Sequence, residues 1–439
     1  MHYIVSMKNF NEATSRRKFI KKIAQLSALT IVPRFVIGGP GYIPPSDLVN
    51  LGFIGCGRQA LGLKNSFHAT GSVQIVAASE VYGDKAKLFA EGVNAMYAEK
   101  SGTASYSGIK MIEDFRGLLA MKEIDAVVIV TPDHWHAAMS IKALEAGKDV
   151  YCEKPLSLTI GEGRAMVNAT RKNRRVFQTG SMQRSWPEFR QAVELVRNGY
   201  IGDIKTVKVN VGGPPIPYTL SGEPVPAGVN WDLWIGPNAM VNFSSELAPM
   251  PKAEVWAQWR KYKEFGGGGM TDWGAHMFDI AQWALDKDDS GPVKITPPDG
   301  KDVQFLTYQY DNGITMTHEN FGINNAVRFI GTKGQIDVQR RKLEPSDVTL
   351  KDKVISTNEK HVYFSDNHYA DFLKAMKNRT LPICDVEIGH RTASVCSLGN
   401  IAYELKRPLE WNPKNEKFIK DDVANGMVTR KLKGEWNVL

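Results

Sequence analysis

Several features that commonly assign a chain to a functional class are scarce or missing in this sequence of 439 residues. Cysteine occurs four times, as Cys56, Cys152, Cys384 and Cys396, and no two of these form a Cys-x-x-Cys pair. The spacing therefore gives no sign of a thiolate metal site or a dithiol redox motif. We expect four free thiols, and a Cys384–Cys396 disulfide is the less favoured alternative.

Long apolar runs and a strongly basic body are also lacking. Outside the N-terminal leader, no segment reaches the roughly 18 apolar residues of a transmembrane helix. The formal charge of +8 is unevenly placed, because residues 1–46 contain seven lysines and arginines and a single acid, Glu12. The remaining chain shows no basic stripe with interleaved aromatic residues, so no nucleic-acid partner is expected.

The leader, residues 1–46, carries a motif of its own. Arg16 and Arg17 are followed by a mildly apolar run, Ile23–Ile37, which Pro33 and Arg34 interrupt. This arrangement resembles a twin-arginine export signal, and the run is too short and too broken to span a bilayer as a stable helix. We therefore predict a protein that is periplasmic or otherwise exported, and a disordered basic tail is the alternative.

A glycine-rich turn follows the first apolar run of strand length, residues 49–54. Its pattern, Gly55-x-Gly57-x-x-Ala60, is typical of the turn between strand and helix in dinucleotide-binding units. Gly55 permits the tight turn, and Gly57 has no Cβ to block a pyrophosphate. Ala60 is small enough for the helix to pack closely on the strand. The N–H groups at the helix start then face the phosphates.

The second apolar run, residues 73–79, ends at Glu80, which lies 25 residues after Gly55. A carboxylate at this position is suited to accept hydrogen bonds from the adenosine ribose hydroxyls. It would also repel a 2′-phosphate, so the sequence favours NAD over NADP. The alternative is an ordinary solvated glutamate at the end of a strand.

Strand and helix patterns alternate as far as residue 180 and predict an α/β domain with a doubly wound parallel sheet, residues 47–180. The strand candidates are 49–54, 73–79, 125–130, 148–152 and 175–179, and the helix candidates lie at about 58–68, 84–97, 112–121, 135–147 and 159–173. Functional residues of such sheets follow the carboxyl ends of the strands. Two polar segments, Thr131–His136 and Glu153–Pro155, do so here.

The pattern changes in residues 181–439, which we interpret as a substrate-binding α+β domain with an open, largely antiparallel sheet. Residues 212–269 are rich in Pro, Gly and Trp and have no regular periodicity, which usually indicates a functional segment. The strand candidates are 204–211, 303–311, 314–321, 326–330 and 334–339, and the helix candidates are 187–198, 270–285 and about 367–377 and 387–405. An irregular tail is predicted to follow.

Three residues suggest proton and charge chemistry. Lys154 follows a buried strand, and its ammonium would stabilise an alkoxide as it forms. Asp272 and His276 are four residues apart on one predicted helix, so they share a face, and a neutral imidazole can remove a hydroxyl proton near pH 7. The alternatives are a lysine that pairs with Glu153 or a helix end, and a core histidine that is held by a nearby acid. A metal site formed with Asp279 is a weaker interpretation, and no metal is expected.

The four glycines before this helix, 266–269, would let backbone approach a ligand.

These motifs together resemble the Gfo/Idh/MocA family of sugar and inositol dehydrogenases. The similar segments are Gly55–Gly57, Thr131–His136, Glu153–Pro155 and Gly269–His276. The resemblance implies that Lys154, Asp272 and His276 are the catalytic residues. The implied cofactor-binding residues are Gly55, Gly57, Arg58, Gln59, Glu80, Thr131, Pro132, His134, His136 and Glu153. Many members carry Asp where this chain has Glu80, and members commonly form dimers or tetramers.

Six of the ten tryptophans lie between residues 231 and 283, and aromatic faces can stack on the C–H faces of sugar rings. We take Trp231 and Trp259 as candidate substrate contacts, with Arg184 and Tyr218 as weaker ones. Packing in the core is the alternative for each tryptophan.

The resemblance implies an NAD(P)-dependent oxidoreductase that transfers hydride between the cofactor and a hydroxyl of a sugar, a sugar derivative or a cyclitol. We expect a tightly bound cofactor, because free NAD is a cytoplasmic metabolite and the twin-arginine route carries folded proteins. One alternative is an NAD-dependent glycosidase or lyase that oxidises its substrate transiently with no net redox change. A non-catalytic, nucleotide-dependent sensor is the other.

Overall fold

Two β-sheets organise the part of the chain described by the computed structural model, residues 47–249 and 256–439. The predicted export leader, residues 1–46, lies outside these ranges. No helix among the described residues is both long and apolar enough to cross a membrane. The four cysteines are free and buried, as expected.

The first sheet has six parallel strands in the order β3-β2-β1-β4-β5-β6. They are β1 Val49–Ile54, β2 Val73–Ser79, β3 Lys110–Ile112, β4 Ala126–Ile129, β5 Asp149–Cys152 and β6 Phe177–Thr179. This confirms the doubly wound sheet. The sequence did not predict β3, because it has three residues and begins with a lysine. The strand order reverses between β1 and β4, which is where ligands bind in sheets of this kind.

Helices cover both faces of this sheet: α1 Arg58–Ala69, α2 Gly83–Ser101, α3 Phe115–Leu119, α4 Asp133–Glu145 and α5 Ile160–Asn173. Ala60 in α1 is fully buried, which fits the need for a small residue where this helix meets the strand. Strand β4 is buried along its whole length, as expected for a strand covered on both faces.

The second sheet has nine strands in the order β13-β12-β11-β7-β10-β9-β8-β14-β15. They are β7 Ile204–Asn210, β8 Lys294–Thr296, β9 Leu306–Gln309, β10 Thr315–His318, β11 Ala326–Gly331, β12 Gln335–Gln339, β13 Lys342–Pro345, β14 Leu409–Asn412 and β15 Lys417–Phe418. Strands β7 and β10 pair in parallel and the other neighbours are antiparallel, which confirms the predicted sheet. The predicted irregular tail was wrong in part, because it contains β14 and β15.

The remaining helices are α6 Pro187–Arg197, α7 Trp231–Ile235, α8 Gly269–Asp272, α9 Gly274–Ala284, α10 His368–Asn378, α11 Val386–Leu405 and α12 Asp422–Asn425. Side chains of α6, α9 and α11 form one apolar core with the second sheet. Helix α10 returns to the first sheet, where Phe372 packs against Phe67 and Tyr151 at ring-centroid distances of 6.4 Å and 5.9 Å. Packing therefore crosses the boundary predicted near residue 180.

The prediction of one continuous helix over residues 270–285 was wrong. The first segment ends with the amides of Asp272 and Trp273 bonded to the carbonyls of Gly268 and Gly269. A new segment then begins, because the amides of His276 and Met277 both donate to the Trp273 carbonyl. Asp272 and His276 consequently lie on different helices, α8 and α9.

Arg184, a predicted substrate contact, is instead part of the core. It is 1 % exposed, and its guanidinium makes four hydrogen bonds of 2.7–2.8 Å to the carboxylates of Asp279 and Asp288. Thr392 also donates to Asp279 at 3.0 Å. The pKa of Asp279 is raised by burial, which Arg184 partly offsets. These hydrogen bonds satisfy Arg184, so it does not contact a substrate. They also engage Asp279, which the sequence suggested as a third ligand of a metal site with Asp272 and His276.

We expect Arg184→Met to lower the free energy of unfolding by about 3–5 kcal/mol, because it leaves the buried Asp279 carboxylate without its cation. Urea unfolding followed by tryptophan fluorescence measures the change. The matched control is Arg341→Met, which removes an exposed arginine. A loss below about 1 kcal/mol for Arg184→Met, comparable with the control, would contradict this structural role.

Candidate active site

A cavity of about 620 Å³ lies where the carboxyl ends of β1, β2, β4 and β5 face residues of the second domain. Ligand pockets commonly have volumes of roughly 300–1,000 Å³. The predicted site residues that line it are Gly55, Gly57, Arg58, Gln59, Glu80, Thr131, Pro132, Glu153, Lys154, Trp259, Asp272 and His276. The structure therefore brings the glycine turn and the three predicted catalytic residues to one cavity.

The glycine turn has the geometry that a dinucleotide needs. Gly55 has φ +90°, and a Cβ there would lie 2.7 Å from the Val130 carbonyl oxygen. Gly57 precedes the first residue of α1, and a Cβ there would meet no atom within 4 Å, so its hydrogen faces open space. The residues present thus fit a pyrophosphate at the start of α1.

Glu80 ties the end of β2 to the glycine turn. Its Oε2 accepts a hydrogen bond from the Cys56 amide at 2.8 Å, and its Oε1 accepts one from the Tyr82 amide at 3.0 Å. A carboxylate oxygen can accept more than one hydrogen bond. Glu80 can therefore hold the turn and still receive ribose hydroxyls.

His134 and His136, both predicted to bind the cofactor, do not line the cavity. The His134 Nε2 lies 3.1 Å from the Trp234 carbonyl oxygen, and the His136 ring lies between the carbonyl oxygens of Pro155 and Thr131, at 2.8 Å and 3.0 Å. Burial lowers the pKa of His134 to about 3 and that of His136 to about 4. The two imidazoles pack beneath the cavity wall and support the segments that follow β4 and β5.

The ammonium of Lys154 is held by α8. Its Nζ donates to Asp272 at two atoms, Oδ1 and the backbone oxygen, each at 2.8 Å, and the Arg260 Nε lies 3.5 Å from the same Oδ1. Burial raises the pKa of Asp272, but Lys154 and Arg260 outweigh this effect and keep it below its usual value. Asp272 is therefore ionised and fixes the direction of the Lys154 ammonium.

His276 is 3 % exposed, and its partner is Arg340 rather than Asp272. The Arg340 Nη2 lies 3.2 Å from the His276 Nε2. Burial lowers the pKa of His276 well below its usual value, and the charges of Lys154 and Arg340 lower it further. The imidazole is thus neutral near pH 7, with Nε2 as the acceptor. Arg340 lies in the turn between β12 and β13, and no local sequence signal marks it.

Two other carboxyl groups of the cavity have raised pKa values. Burial raises the pKa of Asp133 to about 8, against the opposing effect of Arg260. Burial also raises the pKa of Glu153, whose Oε1 receives weak hydrogen bonds from Gln59 and Tyr151 at 3.4 Å and 3.5 Å. Asp133 lines the cavity and was not singled out from the sequence, although it lies in the Thr131–His136 motif.

The aromatic cluster is divided between cavity and core. Trp259 lines the cavity, with the Arg260 guanidinium 4.2 Å from its ring centroid. Trp231 instead stacks on Trp234 at 4.5 Å and donates to the Val241 carbonyl. The hydroxyl of Tyr218 donates to the Asn242 carbonyl at 3.1 Å. Neither Trp231 nor Tyr218 lines the cavity, so the structure does not support these two substrate contacts.

The glycine run serves the chain's own packing. A Cβ on Gly268, which has φ +73°, would lie 2.5 Å from the Pro215 nitrogen, and one on Gly269 would lie 2.6 Å from the Gly212 Cα. The glycines therefore allow α8 to approach the backbone of residues 212–215. The sequence had suggested that they would allow the backbone to approach a ligand. The approach to residues 212–215 places α8, and with it Asp272, against Lys154.

The glycine turn and Lys154 lie at the carboxyl ends of strands of the first sheet, and they face Asp272 and the neutral His276 of the second domain. This arrangement defines a two-domain nicotinamide-dependent oxidoreductase. The sequence matches the description "Oxidoreductase family, NAD-binding Rossmann fold" over residues 49–181 and "Oxidoreductase family, C-terminal alpha/beta domain" over residues 216–438. The chain belongs to the Gfo/Idh/MocA family of oxidoreductases.

Named relatives show the range of this family. Inositol 2-dehydrogenase 2 of Saccharopolyspora erythraea is 24% identical and is matched over 66% of this chain and 73% of its own length. A glycosyl hydrolase family 109 protein of Shewanella pealeana is 30% identical over 41% of this chain and 39% of its own. The crystal structure of an aldose-aldose oxidoreductase from Caulobacter crescentus shares the fold, with 19% identity, a TM-score of 0.55, and coverage of 83% of this chain and 99% of that one.

Proposed function

We propose that this protein is an NAD-dependent oxidoreductase that acts on a hydroxyl group of a sugar, a sugar derivative or a cyclitol. The observation that carries the proposal is that Lys154 and His276 line the same cavity as the turn at Gly55 and Gly57. The relative named as an inositol dehydrogenase and the structural neighbour named as an aldose-aldose oxidoreductase support the substrate class.

The residues of the chain can handle the proton and the charge of such a reaction. When bound, the nicotinamide supplies the group that accepts or returns hydride. The Lys154 Nζ has three protons, and the two oxygens of Asp272 accept two of them, which leaves one for the substrate oxygen. That ammonium stabilises the negative charge that develops there.

His276 is the base for the hydroxyl proton in this proposal. A neutral ring whose Nε2 accepts a hydrogen bond carries its proton on Nδ1, and this atom has no partner among the described residues. Nε2 can take the substrate proton after the Arg340 guanidinium has moved away from Nε2 and the substrate hydroxyl has taken its place. Trp259 supplies an aromatic wall for the C–H face of a sugar ring.

The test is to mix the purified full-length protein, loaded with NAD, with a panel of sugars, sugar acids and cyclitols while following nicotinamide fluorescence. We expect at least one of them to reduce the bound cofactor. A panel in which none does so, with nucleotide still bound, would contradict the oxidoreductase assignment.

We propose NAD rather than NADP because Glu80 places a carboxylate beside the Cys56 amide of the glycine turn. Glu80→Gln keeps an oxygen acceptor for the turn but removes the negative charge. We expect it to raise the ratio of NADP affinity to NAD affinity by about 10-fold or more, because one charge–charge repulsion is removed. Calorimetric titration of nucleotide-free protein measures both affinities.

Asp84→Asn is the matched control, because Asp84 is an exposed acid four residues further on, outside the cavity lining. It should leave the affinity ratio unchanged. A wild-type protein that prefers NADP, or a Glu80→Gln protein with the wild-type ratio, would contradict the role of Glu80.

We further propose that the protein is exported and retains its cofactor. The support is the Arg16-Arg17 motif of the leader, together with the absence of a free NAD pool outside the cytoplasm. Cells that express the full chain should contain it in the periplasm with about one NAD per chain, and a double Arg16→Lys, Arg17→Lys variant should stay in the cytoplasm. Fractionation, denaturation and assay of the released nucleotide test this. Periplasmic protein without nucleotide, combined with fast exchange of added NAD, would refute retention.

Redox-neutral glycoside cleavage is the less supported alternative. The relatives that carry a glycosyl hydrolase name match less of this chain than the inositol dehydrogenase does. Cleavage of a glycoside with no net change in the NADH absorbance would decide for it. The predicted homo-oligomer, a dimer or a tetramer, stays a prediction.

A further inference from the structure

We propose that the substrate carries an anionic group, and that Arg340 binds this group beside the reacting hydroxyl. The inference rests on the proposed function and narrows its substrate class from sugars in general to acidic sugars. A carboxylate and a phosphate offer the same recognition chemistry, and the experiment below separates them.

Arg340 is positioned by neutral groups. Its guanidinium carbon lies 4.6 Å from the Trp273 ring centroid and 5.4 Å from that of Trp186. With the Gln183 amide oriented so that its oxygen faces the guanidinium, that oxygen accepts from the Arg340 Nε at 2.8 Å. Stacking on flat rings and a hydrogen bond at Nε fix the plane of the guanidinium and leave its outer edge for recognition.

Within the described ranges, the guanidinium of Arg340 has no direct ion-pair partner, although Asp272 and Glu153 partly offset the lowering of its pKa by burial. Among the described residues, no carboxylate forms an ion pair with it, although Lys154 and Arg260 each pair with Asp272. Its Nη1 makes no hydrogen bond to the described part of the chain, and the residue is exposed in the cavity wall. The other group, Nη2, contacts the His276 Nε2 and, at 3.3 Å, the Gln183 oxygen. When Nη2 leaves His276, the two Nη groups can hold a carboxylate through two parallel hydrogen bonds.

The catalytic end of the cavity has an excess of positive charge. Three cations, Lys154, Arg260 and Arg340, face the ionised Asp272. The pKa of Asp133 is raised to about 8 by burial, so this acid is mostly neutral near pH 7, and burial also raises the pKa of Glu153. A local excess of one sign of charge, such as three cations around one ionised carboxylate, attracts a ligand group of the other sign.

The contact with His276 places this recognition next to the chemistry. Because Nη2 lies 3.2 Å from the His276 Nε2, a substrate hydroxyl that binds at Nε2 has the guanidinium as its neighbour. An anionic group on the same substrate can draw the guanidinium away from Nε2, which frees the lone pair that accepts the hydroxyl proton. A neutral sugar offers no charge for this exchange.

The experiment compares matched acidic and neutral ligands on the full chain loaded with NAD. The pairs are D-glucuronate with D-glucuronamide, D-galacturonate with D-galacturonamide, and a hexose phosphate with its hexose. Calorimetry measures Kd, and cofactor reduction measures kcat/KM. We expect the acid of at least one pair to be favoured about 10²-fold over its neutral partner, as for a charge-assisted pair in a cavity.

Arg340→Gln should lower that acid-to-neutral ratio to near one. Arg341→Gln, which removes the exposed neighbouring arginine outside the cavity lining, should keep the wild-type ratio. A wild-type protein without acid preference in any pair, or an Arg340→Gln protein with the wild-type ratio, overturns the inference. Preference for the phosphate over the uronates would identify the anion as phosphate.

The two proposals fail in different ways. Selective, Arg340-dependent binding of the acid without any reduction of the cofactor would contradict the oxidoreductase function and leave the anion site standing. Equal reduction of the cofactor by acidic and neutral sugars would contradict the anion site alone.

Discussion

His276→Ala is expected to lower kcat by about 10²–10³-fold, because it removes the group that accepts the hydroxyl proton. The imidazole is buried, lines the cavity and is held neutral by its surroundings. Binding of NAD should be nearly unchanged, since the glycine turn lies on the other domain. Steady-state rates and the NAD content of the purified variant measure the two effects.

His361→Ala is the matched control, because His361 is an exposed histidine that does not line the cavity. It should retain the wild-type rate. Turnover of His276→Ala within a few-fold of the wild type would remove His276 as the base.

The pH dependence of kcat/KM gives a second test of the same residue. Burial, Lys154 and Arg340 disfavour the imidazolium, so the pKa of His276 lies well below the usual value near 6.5. The imidazole is therefore an active base throughout the neutral range, and kcat/KM should fall only when the pH drops well below 6.5. An acidic limb at or above 6.5 would contradict a neutral, desolvated imidazole.

Lys154→Ala is expected to lower kcat by about 10³-fold, because a preorganised cation at the substrate oxygen contributes a large part of such catalysis. The variant also leaves Asp272 with Arg260 as its remaining cation, at 3.5 Å. Rates measured with and without added ethylamine test the role, since a small ammonium ion that enters the vacated space should restore part of the activity.

Lys374→Ala, which removes an exposed lysine on α10, is the control and should neither lose activity nor respond to ethylamine. If Lys154→Ala keeps most of its activity, Lys154 is an ion-pair residue of the cavity wall and not a catalytic group.

The part of the fold that follows from local patterns was predictable from the sequence. Continuous apolar runs such as β4, and a glycine turn directly after β1, are dictated by burial on both faces and by the φ that Gly55 adopts. Short strands were missed for two reasons: β3 forms through pairing with β2, which is more than 30 residues away in sequence, and β15 has only two residues, too few for an alternating pattern.

The candidate site was predictable where a motif fixes a residue at the end of a strand, as for Lys154 and Glu80. It was not predictable where the partner depends on tertiary packing. The break at Trp273 turns Asp272 toward Lys154, and the turn after β12 brings Arg340 to His276. Arg184 illustrates the opposite case, since nothing in its local sequence shows that two distant carboxylates will enclose it.

The central claim is that this cavity moves hydride between a carbon of a sugar and a nicotinamide held by the chain. The most direct measurement mixes the NAD-loaded protein with sugars and sugar acids deuterated at every carbon, and then determines the mass of the nucleotide released on denaturation. The account predicts deuterium in the nucleotide for the wild type and little for His276→Ala in the same time. Nucleotide that stays free of deuterium with every one of these sugars, although it is bound, would contradict the account.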